Sequence, residues 1–406
     1  MPQTYKPEHG DSIVNRHTSV HQKRHLRVRS ETSGINRDNR RSLEPSGQKG
    51  KQRVNMSLKA EQITFALASL LPAGAILAAS FFGGIWPLIA LLVMTALVVV
   101  MDRVGPITEA LSELSRGLPL VIGCLHFLVL FSVVASDANA ESLLQAVLLI
   151  VAAGLYAGQV SNSCAHELIH RPDRASRVLG TAIYCSILNG QHVSAHMLVH
   201  HVYAGTGKDP NSAPLGTSFY KFLGRVWAEE FRAGWRAENE RRKPGITHPY
   251  HIYLGAAGLS ILIATLLGGW VGLCAFLFIA VHAQVQLFLS DYVQHYGLRR
   301  AIGADGKPEP MGPQHSWNAP QAYSAAMMLN APKHSDHHMH PRRSFAELEL
   351  SAETMPMLPR SVPVMGAVAF IPPLWRRMMD HRAQYWSGFA APDDISSGSP
   401  CPVATR

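Results

Sequence analysis

Two pairs of histidines four residues apart, His166/His170 and His196/His200, stand in segments that read as helical. Residues four apart share one helix face, so each pair can present two imidazoles to one metal ion. The first pair lies in H-E-L-I-H-R (166–171), where Glu167 also suits the general base of a zinc peptidase. His201 follows the second pair and is expected a further 100° or so around the helix. A third cluster, His334-Ser335-Asp336-His337-His338, again offers i, i+3 and i, i+4 positions on one face. His295, in D-Y-V-Q-H-Y-G (291–297), ends the last long apolar run.

Counting separates the chemistries. A zinc peptidase site needs three protein ligands and would leave the other clusters idle. Nine histidines from four segments exceed what one ion coordinates, whereas two ions with four or five imidazoles each use them all. Imidazole suits iron, zinc, copper and nickel alike, so the ligands alone do not choose the metal. The remaining histidines read as supporting or surface groups. His126 is expected to be a buried polar residue satisfied by a neighbouring helix. His192, His282 and His340 read as support, and His248, His251 and His381 as peripheral.

The elements that must position these residues are membrane helices. Only 16% of residues are Asp, Glu, Lys or Arg, against about 25% in an ordinary globular chain. Six stretches approach the roughly 20 apolar residues that cross a bilayer: 63–82, 86–101, 118–135, 143–160, 252–267 and 271–289. The connections 83–85, 136–141 and 268–270 contain no Lys or Arg, and the basic segments all fall on the other side. The positive-inside bias then puts both termini and all the histidine clusters in the cytoplasm. The expected fold is an all-α membrane protein: six transmembrane helices as three hairpins, with a cytoplasmic helical cap carrying a His-rich di-metal site.

Residues 1–55 carry twelve Lys or Arg and five Asp or Glu, a net +7 of the chain's +9. This composition reads as a solvated tail without a signal peptide. Met56, just before the first span, raises the hypothesis that native translation starts there. The domain reading is a tail (1–55), a membrane-bound catalytic body (56–345) and a cytoplasmic C-terminal segment (346–406). Five scattered cysteines without a C-x-x-C pair give no disulfide framework, no thiolate metal site and no fused rubredoxin-type domain, so a redox partner must be a separate chain. No nucleic-acid partner is expected.

With these blocks in view, the chain resembles the integral-membrane non-haem di-iron desaturases and hydroxylases, and within them the bacterial alkane 1-monooxygenases and xylene monooxygenases. The resemblance rests on H-E-L-I-H-R (166–171), H-M-L-V-H-H (196–201), D-P-N-S-A (209–213), D-Y-V-Q-H-Y-G-L (291–298), H-S-W-N (315–318) and H-S-D-H-H (334–338). Ala195, Val199, Asp291 and Gln294 depart from the family's usual Glu, Gly, Asn and Glu. The resemblance implies iron ligands His166, His170, His196, His200, His201, His295, His334, His337 and His338. It also implies Glu167, Asp209, Asp291 and Asp336 as acceptors for ligand N–H groups. The implied reaction is O2-dependent hydroxylation of a terminal C–H bond in the bacterial inner membrane. Two irons serve it, with electrons from reduced rubredoxin and an NADH-dependent rubredoxin reductase. An acyl-lipid desaturase or hydroxylase and an intramembrane zinc peptidase are the competing readings.

Overall fold

A computed structural model describes residues 46–105, 114–137, 140–243 and 245–388. The N-terminal tail, apart from residues 46–55, lies outside them, as does the end of the C-terminal segment. The chain divides into two units, Met1–Gly50 and Lys51–Arg406, and the second holds the apolar spans and the histidine clusters. The described residues are helical, with isolated bridges and no β-strand.

The first helices are α1 (Ser46–Phe82), α2 (Trp86–Met94), α3 (Ala96–Val104) and α4 (Leu114–Asp137). α5 (Leu143–Tyr156) runs through a π segment, Ala157–Ser161, into α6 (Asn162–His170). Short polar caps start several helices. Ser142 accepts from the Gln145 N–H, and Asp173 from the Ser176 N–H at the start of α7 (Arg174–Ser186). α8 (Gln191–Ala195), a π turn (His196–His200) and α9 (His201–Tyr203) follow in one run. α10 (Phe219–Arg241) is amphipathic, and α11 (Pro249–His295) consists of two helical arms joined at Gly269. Short helices α12 (Ala322–Met327) and α13 (His334–Met339) precede α14 (Val362–Ala369) and α15 (Pro372–Ser387).

This is a multi-pass membrane protein. Four helical stretches are long and apolar enough to cross a bilayer: 62–82, 116–136, 143–170 and 249–295. α2 and α3 qualify only as a pair, bent by 43° at Thr95. The six separate crossings expected from hydropathy therefore take a different form. The last two are the two arms of α11, which meet at Gly269, whose φ of 58° and ψ of −145° are not helical; a positive φ favours glycine.

That break reverses the chain. The Tyr253 hydroxyl lies 2.9 Å from Ser194 Oγ, and Gln284 Nε2 donates to the Ile187 carbonyl at 2.9 Å. In a straight helix these two residues would stand about 46 Å apart, yet both reach the same short stretch. Packing around the tip is close. A Cβ on Gly268 or Gly272 would press on the Val134 carbonyl at the end of α4. Gly158 leaves room for Gln286 across the α5–α11 contact.

Large apolar side chains lie open on the helix surfaces, among them Phe82 at 73% exposure and Trp270 at 75%, as lipid-facing residues do. His170 and His295 end their helices at the opposite pole from the Gly269 tip. The C-terminal segment is no separate piece as far as residue 388. Trp375 is fully buried, and the Tyr296 hydroxyl donates to Asp380 at 2.6 Å.

Candidate metal centre

The nine histidines converge and sort into two groups. His166, His170, His196, His201 and His337 form one; His200, His295, His334 and His338 form the other. Within each group one nitrogen per ring lies within 4.8 Å of every other. The groups adjoin, with the ring of His338 4.8 Å from those of both His200 and His201.

The backbone decides the sorting. The His201 N–H bonds to the His196 carbonyl, closing an i→i+5 π turn. That turn brings His196 and His201 to one group, their Nε2 atoms 2.9 Å apart, and swings His200 to the other. The expected i, i+4 pairing of His196 with His200 is therefore corrected to an i, i+5 pairing. In α13 the ordinary helix keeps His334 and His338 together at 3.1 Å, while His337 turns to the five-histidine group, 3.2 Å from His201. His166 and His170 share a group, as their spacing predicts.

These contacts are not a hydrogen-bond network. The Nε2 atoms of His170, His196 and His201 stand 3.1, 3.1 and 2.9 Å from one another. Three neutral imidazoles cannot satisfy three mutual contacts with one proton each. Nε2 of His166 and of His200 are buried with no partner. Nitrogens sharing an ion at about 2.0–2.1 Å would stand roughly 2.9–3.4 Å apart, the spacing observed. Both groups fit a metal ion.

Electrostatics agree. Burial first, then the surrounding imidazoles, hold His196, His201, His337 and His338 well below the ordinary histidine value. His334 is lowered to about 3, chiefly by burial. Neutral imidazole is the form that binds a metal. His200 is the exception: burial lowers it, but the Asp209 carboxylate and its hydrogen bond raise it further, for a net upward shift.

Similarity to known proteins points the same way. The pattern of the family described as "Fatty acid desaturase" matches residues 142–369. The chain is 30% identical over 257 residues to alkane 1-monooxygenase 2 of Alcanivorax borkumensis, covering 62% of this chain and 67% of that one. It is 32% identical over 246 residues to alkane 1-monooxygenase 1 of Pseudomonas aeruginosa, covering 59% and 64%. The chain thus spans about two thirds of the length of these relatives.

The chain belongs to the fatty acid desaturase family.

Around this desaturase-family centre, the four acids named from the sequence differ in what they touch. Asp209 Oδ2 meets His200 Nδ1 at 3.0 Å and is itself held by Ser212 Oγ at 2.7 Å. Asp291 accepts from Asn211 Nδ2 at 2.7 Å. Glu167 accepts from Arg171 at 3.2 Å and from the Phe345 N–H at 3.1 Å. Both of its oxygens are thus engaged, as a peptidase base would not be. Asp336 accepts from His340, Arg343 and the Glu349 N–H. Glu167 and Asp336 therefore fasten the 340–349 strap to the histidine-bearing helices α6 and α13.

The desaturase-family motif residues other than the nine histidines serve as ties. Asn318 of H-S-W-N accepts from the Ser335 N–H at 2.9 Å, which sets the start of α13. Gln294 spans the Ser290 hydroxyl and the Ala331 carbonyl. His126 is buried between Ser161 Oγ at 2.9 Å and Ser186 Oγ at 2.7 Å, the satisfied polar residue expected of it. His248 is buried rather than peripheral and stacks on Trp235, with ring centroids 4.1 Å apart.

Glu230 and Asn211 were missed as site residues. Glu230 meets His192 Nδ1 at 2.6 Å, and Asn211 links it to Asp291. The His192 ring stands 5.1 Å from that of His196. A signal existed: Phe222, Val226, Glu230, Gly234 and Glu238 recur every four residues along the buried face of α10, and an acid on a buried stripe needs a partner.

A cavity of about 810 Å³ opens beside the centre. Met94 and Val98 of α2 and α3, Leu155 of α5 and Leu289 of α11 give it an apolar wall. None of the nine histidines lines it. Gln159 and Ser290 on its wall precede His166 and His295 by one to two helical turns, roughly 10 Å or less.

Proposed function

We propose that this chain is a membrane-bound non-haem di-iron monooxygenase that converts a terminal methyl group of an alkane or alkyl side chain to a primary alcohol. The observation that carries the reading is the division of nine imidazoles into adjoining groups of five and four. The named activity of the relatives supports it. The nine histidines would be the iron ligands.

The balance requires one O2, two electrons and two protons: one oxygen atom enters the C–H bond and the other leaves as water. Two iron ions, when bound, supply the activation of O2. The chain's own residues do the rest. Asp209 holds the His200 ring by its Nδ1 and strengthens it as a ligand. Burial of all four rings of the second group, and of His196 and His337 in the first, restricts bulk water there, while His166, His170 and His201 are half-buried. The apolar cavity walls offer a hydrocarbon its path, and selectivity comes from their length and shape, each methylene counting for about 1–3 kcal/mol.

Counting the two arms of α11 separately, and α2 with α3 as one, gives the six crossings read from hydropathy. Hairpin connections without Lys or Arg at the pole opposite the histidines support a cytoplasmic centre in the bacterial inner membrane. Reduced rubredoxin, recharged by an NADH-dependent reductase, is the electron source in this reading. Arg174 and Arg342 are exposed near the centre, whereas Arg171 and Arg343 are tied to Glu167 and Asp336.

The test is a hydroxylation assay on octane, hexadecane, xylene and a fatty acid, with rubredoxin and its reductase supplied and products separated by gas chromatography. Primary alcohols from the hydrocarbons are expected. Products formed only from the fatty acid would point to an acyl-lipid desaturase or hydroxylase instead.

A further inference from the structure

The cavity beside the metal centre is apolar along its walls but carries polar groups that nothing in the fold satisfies. Asp102, Gln159 and Gln321 all line it, and one oxygen of each is buried with no hydrogen-bond partner: Asp102 Oδ2, Gln159 Oε1 and Gln321 Oε1. Gln159 is only 7% exposed. The other Asp102 oxygen is occupied, accepting the Ser324 N–H at 2.8 Å. Gln159 Nε2 is turned to Gln286 Oε1, which fixes the amide with its oxygen unpaired. A buried acceptor left without a donor costs about 1–3 kcal/mol, and three belong to one cavity.

All three are acceptors, so the group that would relieve them is a donor. Its charge is also constrained. Arg103 and Arg360 line the same cavity and oppose a cation, while a carboxylate, which has only acceptors, relieves none of the three oxygens. A neutral donor on an apolar chain remains, which is a hydroxyl.

We propose that this cavity binds a hydroxyl-terminated hydrocarbon, with the hydroxyl donating to one of the acceptors Asp102, Gln159 and Gln321. That the bound alcohol is the enzyme's own product rests on the hydroxylation proposed above; the binding itself does not. An alkane has no hydrogen bond to offer these oxygens, so the cavity favours the chain after oxidation over the chain before it.

The test uses the full chain in lipid nanodiscs, iron-free and iron-loaded, with tritiated dodecan-1-ol as probe. Dodecane, dodecanoate and dodecylammonium are the competitors, each compared at equal concentration within the lipid. Dodecan-1-ol is expected to bind saturably with or without iron and to be displaced poorly by the other three. Asp102→Asn keeps the oxygen that accepts from Ser324 but puts an amide donor in place of the free one. Gln321→Met removes an acceptor at similar size. Loss of a hydrogen bond to the charged carboxylate should weaken dodecan-1-ol binding about tenfold or more in Asp102→Asn, and Gln321→Met should weaken it less. If both folded variants bind the alcohol as the wild type does, or if dodecanoate or dodecylammonium binds more tightly, the inference is overturned. Hydroxylation of dodecane by the same preparation reports the proposed reaction separately. Activity without discrimination for the alcohol overturns the inference alone, and discrimination without activity supports the cavity while removing the reaction.

Discussion

His196 and His201 are five residues apart, and their Nε2 atoms stand 2.9 Å from each other because the backbone between them closes a π turn. A regular α-helix would have paired His196 with His200. One extra residue in a single turn thus sends two consecutive histidines to different imidazole groups. π turns recur at functional sites for this kind of reason: they re-aim a side chain without interrupting the helix.

The same division runs through His337 and His338, neighbours in sequence that face different groups. His337→Ala should empty the five-histidine group and His338→Ala the four-histidine group. Each should bring iron from about two ions per chain toward one and abolish oxygenation. Membrane insertion should be unchanged, because it depends on the apolar helices. Metal analysis with Mössbauer spectra of each variant checks this. Wild-type turnover in either purified, iron-loaded variant would remove these residues from the ligand set.

Asp209 is the one acid of the four whose carboxylate meets one of the nine clustered imidazoles, that of His200. Asp209→Ala should lower metal affinity or activity about 10–100-fold, read by competition with a chelator. Asp291→Asn should cost less, since Asp291 reaches the centre only through Asn211. Equal losses from the two would count against the assignment.

Spacing and charge made the nine clustered histidines and the membrane class legible in the sequence. His166/His170 and His334/His338 lie in ordinary α-helix, where an i, i+4 rule holds. His196, His200 and His201 do not, because π geometry depends on packing that no local pattern reports. The role expected of Glu167 and Asp336 is not the one their contacts show: an acid beside clustered histidines need not touch their rings, and both accept from the strap at 340–349. Glu230 escaped notice because its partner, His192, lies 38 residues away. The reversal at Gly269 was legible in the apolar runs on either side of it.

The strap gives a dynamic prediction. Arg343→Ala removes a guanidinium from Asp336, and Glu167→Gln removes charge from the carboxylate that receives the Phe345 N–H. Each should speed hydrogen exchange in residues 340–349 by severalfold and leave α4 unchanged. Hydrogen-exchange mass spectrometry of the membrane-embedded protein reads this, and unaltered exchange in the strap would show that its hold lies elsewhere.

His126 ties the π segment of the fourth crossing to the end of α7 through Ser161 and Ser186. His126→Phe leaves the buried Ser161 hydroxyl without that partner, at about 1–3 kcal/mol, while Ser186 keeps its bond to the Ile183 carbonyl; the change should lower the thermal midpoint by a few degrees. Combining it with Ser161→Ala should cost less than the sum of the two single changes, because one contact is removed twice. Full additivity would contradict the tie.

The proposed chemistry stands or falls on whether the two imidazole groups each hold one iron. Anomalous diffraction from crystals of the full chain, with data collected on either side of the iron absorption edge, reads this without an assay. Two iron peaks are expected, one among His166, His170, His196, His201 and His337 and the other among His200, His295, His334 and His338. A single peak, or zinc in place of iron, would contradict the di-iron reading.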